Sequence, residues 1–162
     1  MREVEAIRKH PLYAEYYDRL RESEKERKFC CHQMEHLLDV ARIAYICNLE
    51  KNMGIRKEVI YGAALLHDIG KSRQYEEGIP HEKASATIAK IILEDLPETY
   101  YSEEEKHAML RAVLGHRRER EDMEELERLL YLSDKRSRMC FDCGMETECN
   151  WSEEKKNLEI TV

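Results

Sequence analysis

The apolar run Ala63-Ala64-Leu65-Leu66 leads without a break into His67-Asp68-Ile69-Gly70-Lys71. At helical spacing this run is apolar on every side, so the helix that carries it must be surrounded by other elements. Ending such a helix in an imidazole and a carboxylate is costly unless both find strong partners. A metal ion is the simplest partner, because imidazole supplies nitrogen and a carboxylate can bridge two ions. The plainer alternative is a helix end at which Asp68 bonds nearby amides and His67 is a satisfied core histidine. The dipeptide alone does not separate the two.

The surroundings are expected to be helical too. Only 6 Gly and 3 Pro occur in 162 residues, and the many Glu, Lys, Arg, Leu and Ala favour helix over strand. Apolar periodicity predicts about six helices: 3–26, 29–51, 56–68, from 81 to before Pro97, 102–116 and 122–137. Pro11 is expected to kink or divide the first. Residues 70–80 read as a polar loop, and Ser102 followed by Glu103, Glu104 and Glu105 reads as a helix start. No stretch alternates cleanly enough for a strand. The expected fold is all-α, a single helical bundle with residues 1–28 as an N-terminal extension, 29–138 as the body and 139–162 as a cysteine-bearing tail packed on it.

Net charge is −7, with 27 Lys plus Arg against 34 Asp plus Glu. That argues against general nucleic-acid binding, which needs a dense basic footprint, but leaves room for a small anionic substrate held by local charge. No apolar run approaches the ~20 residues that span a bilayer, and no secretory-type start is visible. The expectation is a soluble, cytoplasmic protein without membrane partners; the sequence is silent on oligomeric state.

The His-Asp pair has company. His36 shares a stripe with Val40, Ile43 and Cys47, and Asp134 follows Leu126 and Leu130 at whole turns. His81 precedes Ser85 and Ile88, and His116 follows Ala112 and Val113. Inward-facing ligands on separate helices are how bundles build metal sites.

In order, His36, His67-Asp68 and Asp134 resemble the H…HD…D signature of the HD superfamily of metal-dependent phosphohydrolases. The local words HLLDVARIA, ALLHDIGK and LLYLSDK agree, and HDIG resembles the commoner bacterial subtype. The resemblance covers roughly residues 29–138. It implies an all-helical fold with metal held by His36, His67, Asp68 and Asp134. PHEKAS and LGHRRE are similar to the extra-histidine motifs of binuclear members, which implies a second ion on His81 and His116 with Asp68 bridging. Iron or manganese is then the expected metal. The plainer reading makes His81 a helix-start residue beside Pro80 and His116 a partner of a helix dipole.

Such a constellation suits phosphoester hydrolysis. A metal ion lowers the pKa of its water from 15.7 towards ~7, making hydroxide available at neutral pH, and two ions hold attacking and substrate oxygens together. Asp68 and Lys71 are the expected catalytic residues. Lys71 is the first candidate for substrate phosphate, as a mobile point charge, followed by Arg117 and Lys135. Arg118 and Arg136 also flank ligands, and Asp39 lies one turn from His36. For each flanking cation the alternative is a solvated surface charge. The expected substrate is a nucleotide or another small phosphorylated metabolite, and the binuclear pattern resembles HD-type diadenosine tetraphosphate hydrolases. Two alternatives stay open: a binuclear iron oxygenase, and a catalytically silent metal- or redox-sensing module.

Cys140, Cys143 and Cys149 form C-x2-C-x5-C, one ligand short of a complete structural zinc or iron–sulfur site. Cys30 or Cys31 can supply the fourth. Cys30 lies six residues before His36 and Cys140 six after Asp134, so on antiparallel helices both sit ~9 Å from the shared ligands. His32 is a rival. An accessory centre on Cys30, Cys140, Cys143 and Cys149 is therefore expected, zinc before an iron–sulfur cluster, against free thiols on a loose tail; the x2 and x5 spacings also resemble part of an iron–sulfur loop in some DNA glycosylases. Cys47 reads as core.

Overall fold

The computed structural model describes residues 1–161. Eight α-helices follow one another: α1 (Arg2–Lys9), α2 (Pro11–Ser23), α3 (Met34–Glu50), α4 (Lys57–Leu66), α5 (Lys71–Glu77), α6 (His81–Asp95), α7 (Glu103–Gly115) and α8 (Glu125–Arg136). Three short 3-10 turns, Cys140–Asp142, Glu146–Glu148 and Glu153–Lys155, carry the tail, and no strand occurs among the described residues. No helix among them is long and apolar enough to cross a membrane.

The all-α expectation holds, while the helix count rises from six to eight. Pro11 divides the first helix: His10, held extended before proline, ends α1 and caps α2 by accepting a hydrogen bond from the Leu12 amide. The second helix begins at Met34 rather than near residue 29, because the backbone before it is otherwise engaged. The His32 amide donates to Glu24, and the Cys30 and Cys31 carbonyls accept from Arg27 and Arg138. The segment read as a polar loop contains α5. That helix is short and lacks an apolar stripe, so periodicity could not reveal it; Gly78, left-handed at φ 72°, closes it, and Arg73 pairs with Glu77 along it. At α7 the expected start is realised as a capping box, with Ser102 and Glu105 each bonding the other's backbone.

The central helix is α4, which packs on α1, α3, α6, α7 and α8. Val59, Ile60, Ala63, Ala64, Leu65 and Leu66 are all buried there. Gly62 lets neighbours close in: a Cβ would run into Met109, Ile7 and Tyr101. One continuous core results, and Val4, Ile7 and Tyr13 from the first two helices belong to it. The end of α4 is consequently fixed from all sides.

Candidate metal centre

Past Leu66 the chain turns through His67–Gly70 before α5. Gly70 donates its amide to the Ser85 hydroxyl at 2.9 Å, and a Cβ there would collide with the backbone of Ala84 and Ser85. This close approach brings the start of α6, and with it His81, up to the His-Asp pair. His36 arrives from α3, His116 from the end of α7 and Asp134 from α8.

Each histidine is oriented through its Nδ1. His67 and His116 donate to the carbonyls of Ala64 and Val113, both at 2.7 Å. His81 donates to Gln74 Oε1 at 2.5 Å. His36 donates to the Ser137 hydroxyl at 3.1 Å, whose own proton goes to the Asp134 carbonyl. With every Nδ1 engaged, four Nε2 atoms face inward, the arrangement that presents imidazole to a metal.

They face carboxylates. Asp68 Oδ2 lies 3.2 Å from His67 Nε2 and 3.5 Å from His36 Nε2, while its Oδ1 lies 3.3 Å from His81 Nε2 and 3.7 Å from His116 Nε2. Asp134 Oδ1 is 3.4 Å from His36 Nε2 and 3.8 Å from His67 Nε2. Two sets therefore have ligand atoms within 4.8 Å of one another and can each hold a metal ion: His36, His67, Asp68 and Asp134, and Asp68, His81 and His116. Asp68 belongs to both and turns one oxygen to each.

The residues fit cations. His67 Nε2 and Asp68 Oδ1 are buried without a hydrogen-bond partner, a costly arrangement that a coordinated ion relieves. His81 Nε2 and His116 Nε2 stand 3.1 Å apart, two lone pairs that need positive charge between them. Burial opposes charge on His67, yet Asp68 and Asp134 overcome it and raise its pKa to about 10. Burial likewise pushes both carboxyls up, but His67 at Asp68 and Lys135 at Asp134 hold them well below the usual range. His81 is pushed down to about 2, chiefly by burial, and so is a neutral donor.

The centre opens into a cavity of ≈430 Å³. Lys71 and Arg117 line it; Lys71 Nζ is 3.4 Å from His81 Nδ1, and Arg117 pairs with Glu82 at 3.3 Å. Lys135 also lines it, but is engaged by Asp134 at 2.5 Å and lies over the rings of Tyr131 and Trp151. Arg118 is exposed and outside the lining, Arg136 contacts Cys47 in the core, and Asp39 pairs with Arg42 on the surface. Among the cysteines, Cys47 is buried in the core, while no three of Cys30, Cys140, Cys143 and Cys149 come within 4.8 Å of one another.

Several site residues escaped sequence reasoning. Arg138 is buried, and its Nη2 reaches His36 Nε2 at 2.9 Å and Asp134 Oδ1 at 3.5 Å; its place four residues after Asp134 was the available signal. His32 lines the cavity with its Nδ1 on Glu24, and burial pushes its pKa down to about 4. Gln74 went unseen with α5. Asn150, Trp151, Ser152 and Lys155 reach the cavity from the tail, where no pattern marks them.

Comparison with known proteins agrees with this fold. The HD domain family model matches residues 34–139. An uncharacterized protein of Clostridium beijerinckii is 49% identical over 148 residues, covering 91% of each chain. The crystal structure of a predicted HD superfamily hydrolase from an uncultured Thermotogales bacterium superposes with a TM-score of 0.62, covering 90% of this chain and 81% of that one, at 19% identity. With the family match spanning the whole ligand set from His36 to Asp134, the chain belongs to the HD domain family.

Proposed function

We propose that the protein is a metal-dependent phosphohydrolase with a two-metal centre, acting on a phosphate ester or anhydride of a nucleotide or small phosphorylated metabolite. The observation that carries this reading is the division of Asp68, one oxygen towards His36, His67 and Asp134 and the other towards His81 and His116. The mixed nitrogen and oxygen donors suit iron or manganese. A divalent cation supplies acidified water and Lewis acidity at the phosphoryl group when bound.

The protein's own groups do the rest. His36, His67, His81 and His116 are locked by their Nδ1 bonds, so the ligand set needs little reorganisation. Lys71, Arg117, Lys135, Arg138 and Lys155 line the cavity against the two carboxylates, an excess of positive charge that favours a polyanion. Burial lowers the pKa of Lys71 from its ordinary value, while the nearby Asp68 carboxylate acts to raise it. This lysine is assigned to orient the phosphate. The Trp151 ring at the rim offers a nucleobase a stacking face.

The test is phosphate release from a panel of nucleotides and sugar phosphates by protein loaded with manganese or ferrous iron. The reading expects metal-dependent turnover that disappears in Asp68→Asn. Retained ligand binding with no phosphate release from any of them, at full metal occupancy, would refute it and favour a silent sensing module.

A further inference from the structure

The tail is the second chemically unusual region. Asn157 donates its side-chain amide to the carbonyls of both Arg136 and Arg138 at 2.9 Å, and its own carbonyl accepts from the Phe141 amide. These bonds tie the cysteine loop to the end of α8. Opposite it, Arg27 and Arg138 hold the carbonyls of Cys30 and Cys31, fixing the segment before α3. Cys30 belongs to that segment. It lines one cavity of ≈430 Å³ together with Cys140 and Cys149, and a neighbouring one together with Cys143.

The other three thiols are near enough to Cys140 to act on its sulfur. Burial pushes the Cys140 thiol up, the Asn157 backbone acts to lower it, and Cys30, Cys149 and Cys143 each raise it further. All three partners thus act on one sulfur. Arg27, Lys71 and Arg138 line the cavity of Cys30, Cys140 and Cys149 and supply positive charge beside those three thiols.

The spacing discriminates among metals. One zinc sits about 2.3 Å from each sulfur, which sets tetrahedral sulfurs roughly 3.8 Å apart. Here no three of the sulfurs gather within 4.8 Å; Cys30, Cys140 and Cys149 stand around one cavity, and Cys143 lines the neighbouring one that Cys30 also reaches. A cluster in which the cysteines are divided among several irons keeps its sulfurs further apart than a single ion does. We propose that Cys30, Cys140, Cys143 and Cys149 hold an iron–sulfur cluster, separate from the HD centre, that fixes the tail forming one wall of the HD cavity.

The wall is short and direct: Asn150, Trp151, Ser152 and Lys155 follow Cys149 and line the HD cavity. Trp151, the single tryptophan of the chain, lines both cavities and so serves as a built-in reporter.

The full chain is purified anaerobically and reconstituted with ferric iron, a thiol reductant and sulfide, in parallel with zinc alone. Iron, zinc and acid-labile sulfide per chain are measured together with visible absorption and Trp151 fluorescence. A His67→Asn/Asp68→Asn double variant removes the HD ions from the count. The expected result is iron and sulfide in equal amounts, about two to four of each per chain. They should be retained in the double variant and fall at least tenfold in both Cys30→Ser and Cys143→Ser, with loading quenching Trp151. Circular dichroism unchanged from the parent separates ligand loss from misfolding, and Asp142→Asn in the same loop should retain its sulfide. Stoichiometric zinc without sulfide uptake, full sulfide in Cys30→Ser, or equal loss in Asp142→Asn would each overturn the assignment.

Discussion

The HD centre and the cysteine tail are both expected metal sites, yet they are built differently. In the first, six candidate ligands come from rigid helices or the turn after α4, each histidine is oriented by a bond to Nδ1, and the donor atoms already gather in two sets, each within 4.8 Å. In the second, four cysteines sit on or beside 3-10 turns and on an irregular segment, one exposed and three half-buried, and they are spread over two neighbouring cavities. Burial in a common core preorganises the first site. The second has little core of its own, so a bound cluster would have to supply the order. Breaking the two sites should therefore have opposite structural signatures.

The largest effect is expected from Asp68→Asn. Losing the carboxylate shared by both sets should abolish the proposed phosphatase activity, a drop of ~1000-fold or more, and release both ions, as metal analysis would show. Helix content should survive, because the core around α4 does not involve Asp68. Gly70→Ala tests the positioning of α6 instead: the collision with Ala84 and Ser85 should cost about 3 kcal/mol or more in denaturant unfolding. An unfolding free energy within 1 kcal/mol of the parent would show that the close approach is not needed.

Smaller changes sharpen the contrast. Gln74→Ala and Ser137→Ala remove only the Nδ1 partners of His81 and His36. Each should weaken metal binding about 10–100-fold without removing a ligand, read by competition with a chelator. Equal affinity to the parent would mean that ring orientation comes from packing alone. Manganese at 100 times its dissociation constant should stabilise the protein by about 2.7 kcal/mol for each ion bound, an increment absent in Asp68→Asn. Smallest is Ser102→Ala, which opens the capping box of α7 and should cost about 1 kcal/mol with metal content unchanged.

Much of this was legible before any coordinates. The apolar run into His67-Asp68 demanded a surrounded helix, and α4 is surrounded; Ser102 with its glutamates specified a helix start, and a capping box is there. Ligands spaced at whole turns on apolar stripes are legible because helical period and burial act together. What stayed hidden lacks that coupling. Gln74 lies on a helix too short and polar to have a period, and Arg138 enters the site past the end of α8. Trp151 and Lys155 reach the cavity through an irregular tail whose path depends on Asn157 bonding to α8. Lys135 was legible as a neighbouring cation, whereas its engagement with Asp134 depends on side-chain geometry alone.

The account stands on Asp68 serving two ions. The most direct test is the manganese content per chain of a Cys143→Ser variant, in which the cysteine site is disabled, measured beside the same chain carrying Asp68→Asn. Two ions per chain in the first and none retained in the second is the predicted result. One ion or none in the first, or two that persist without the Asp68 carboxylate, would contradict it.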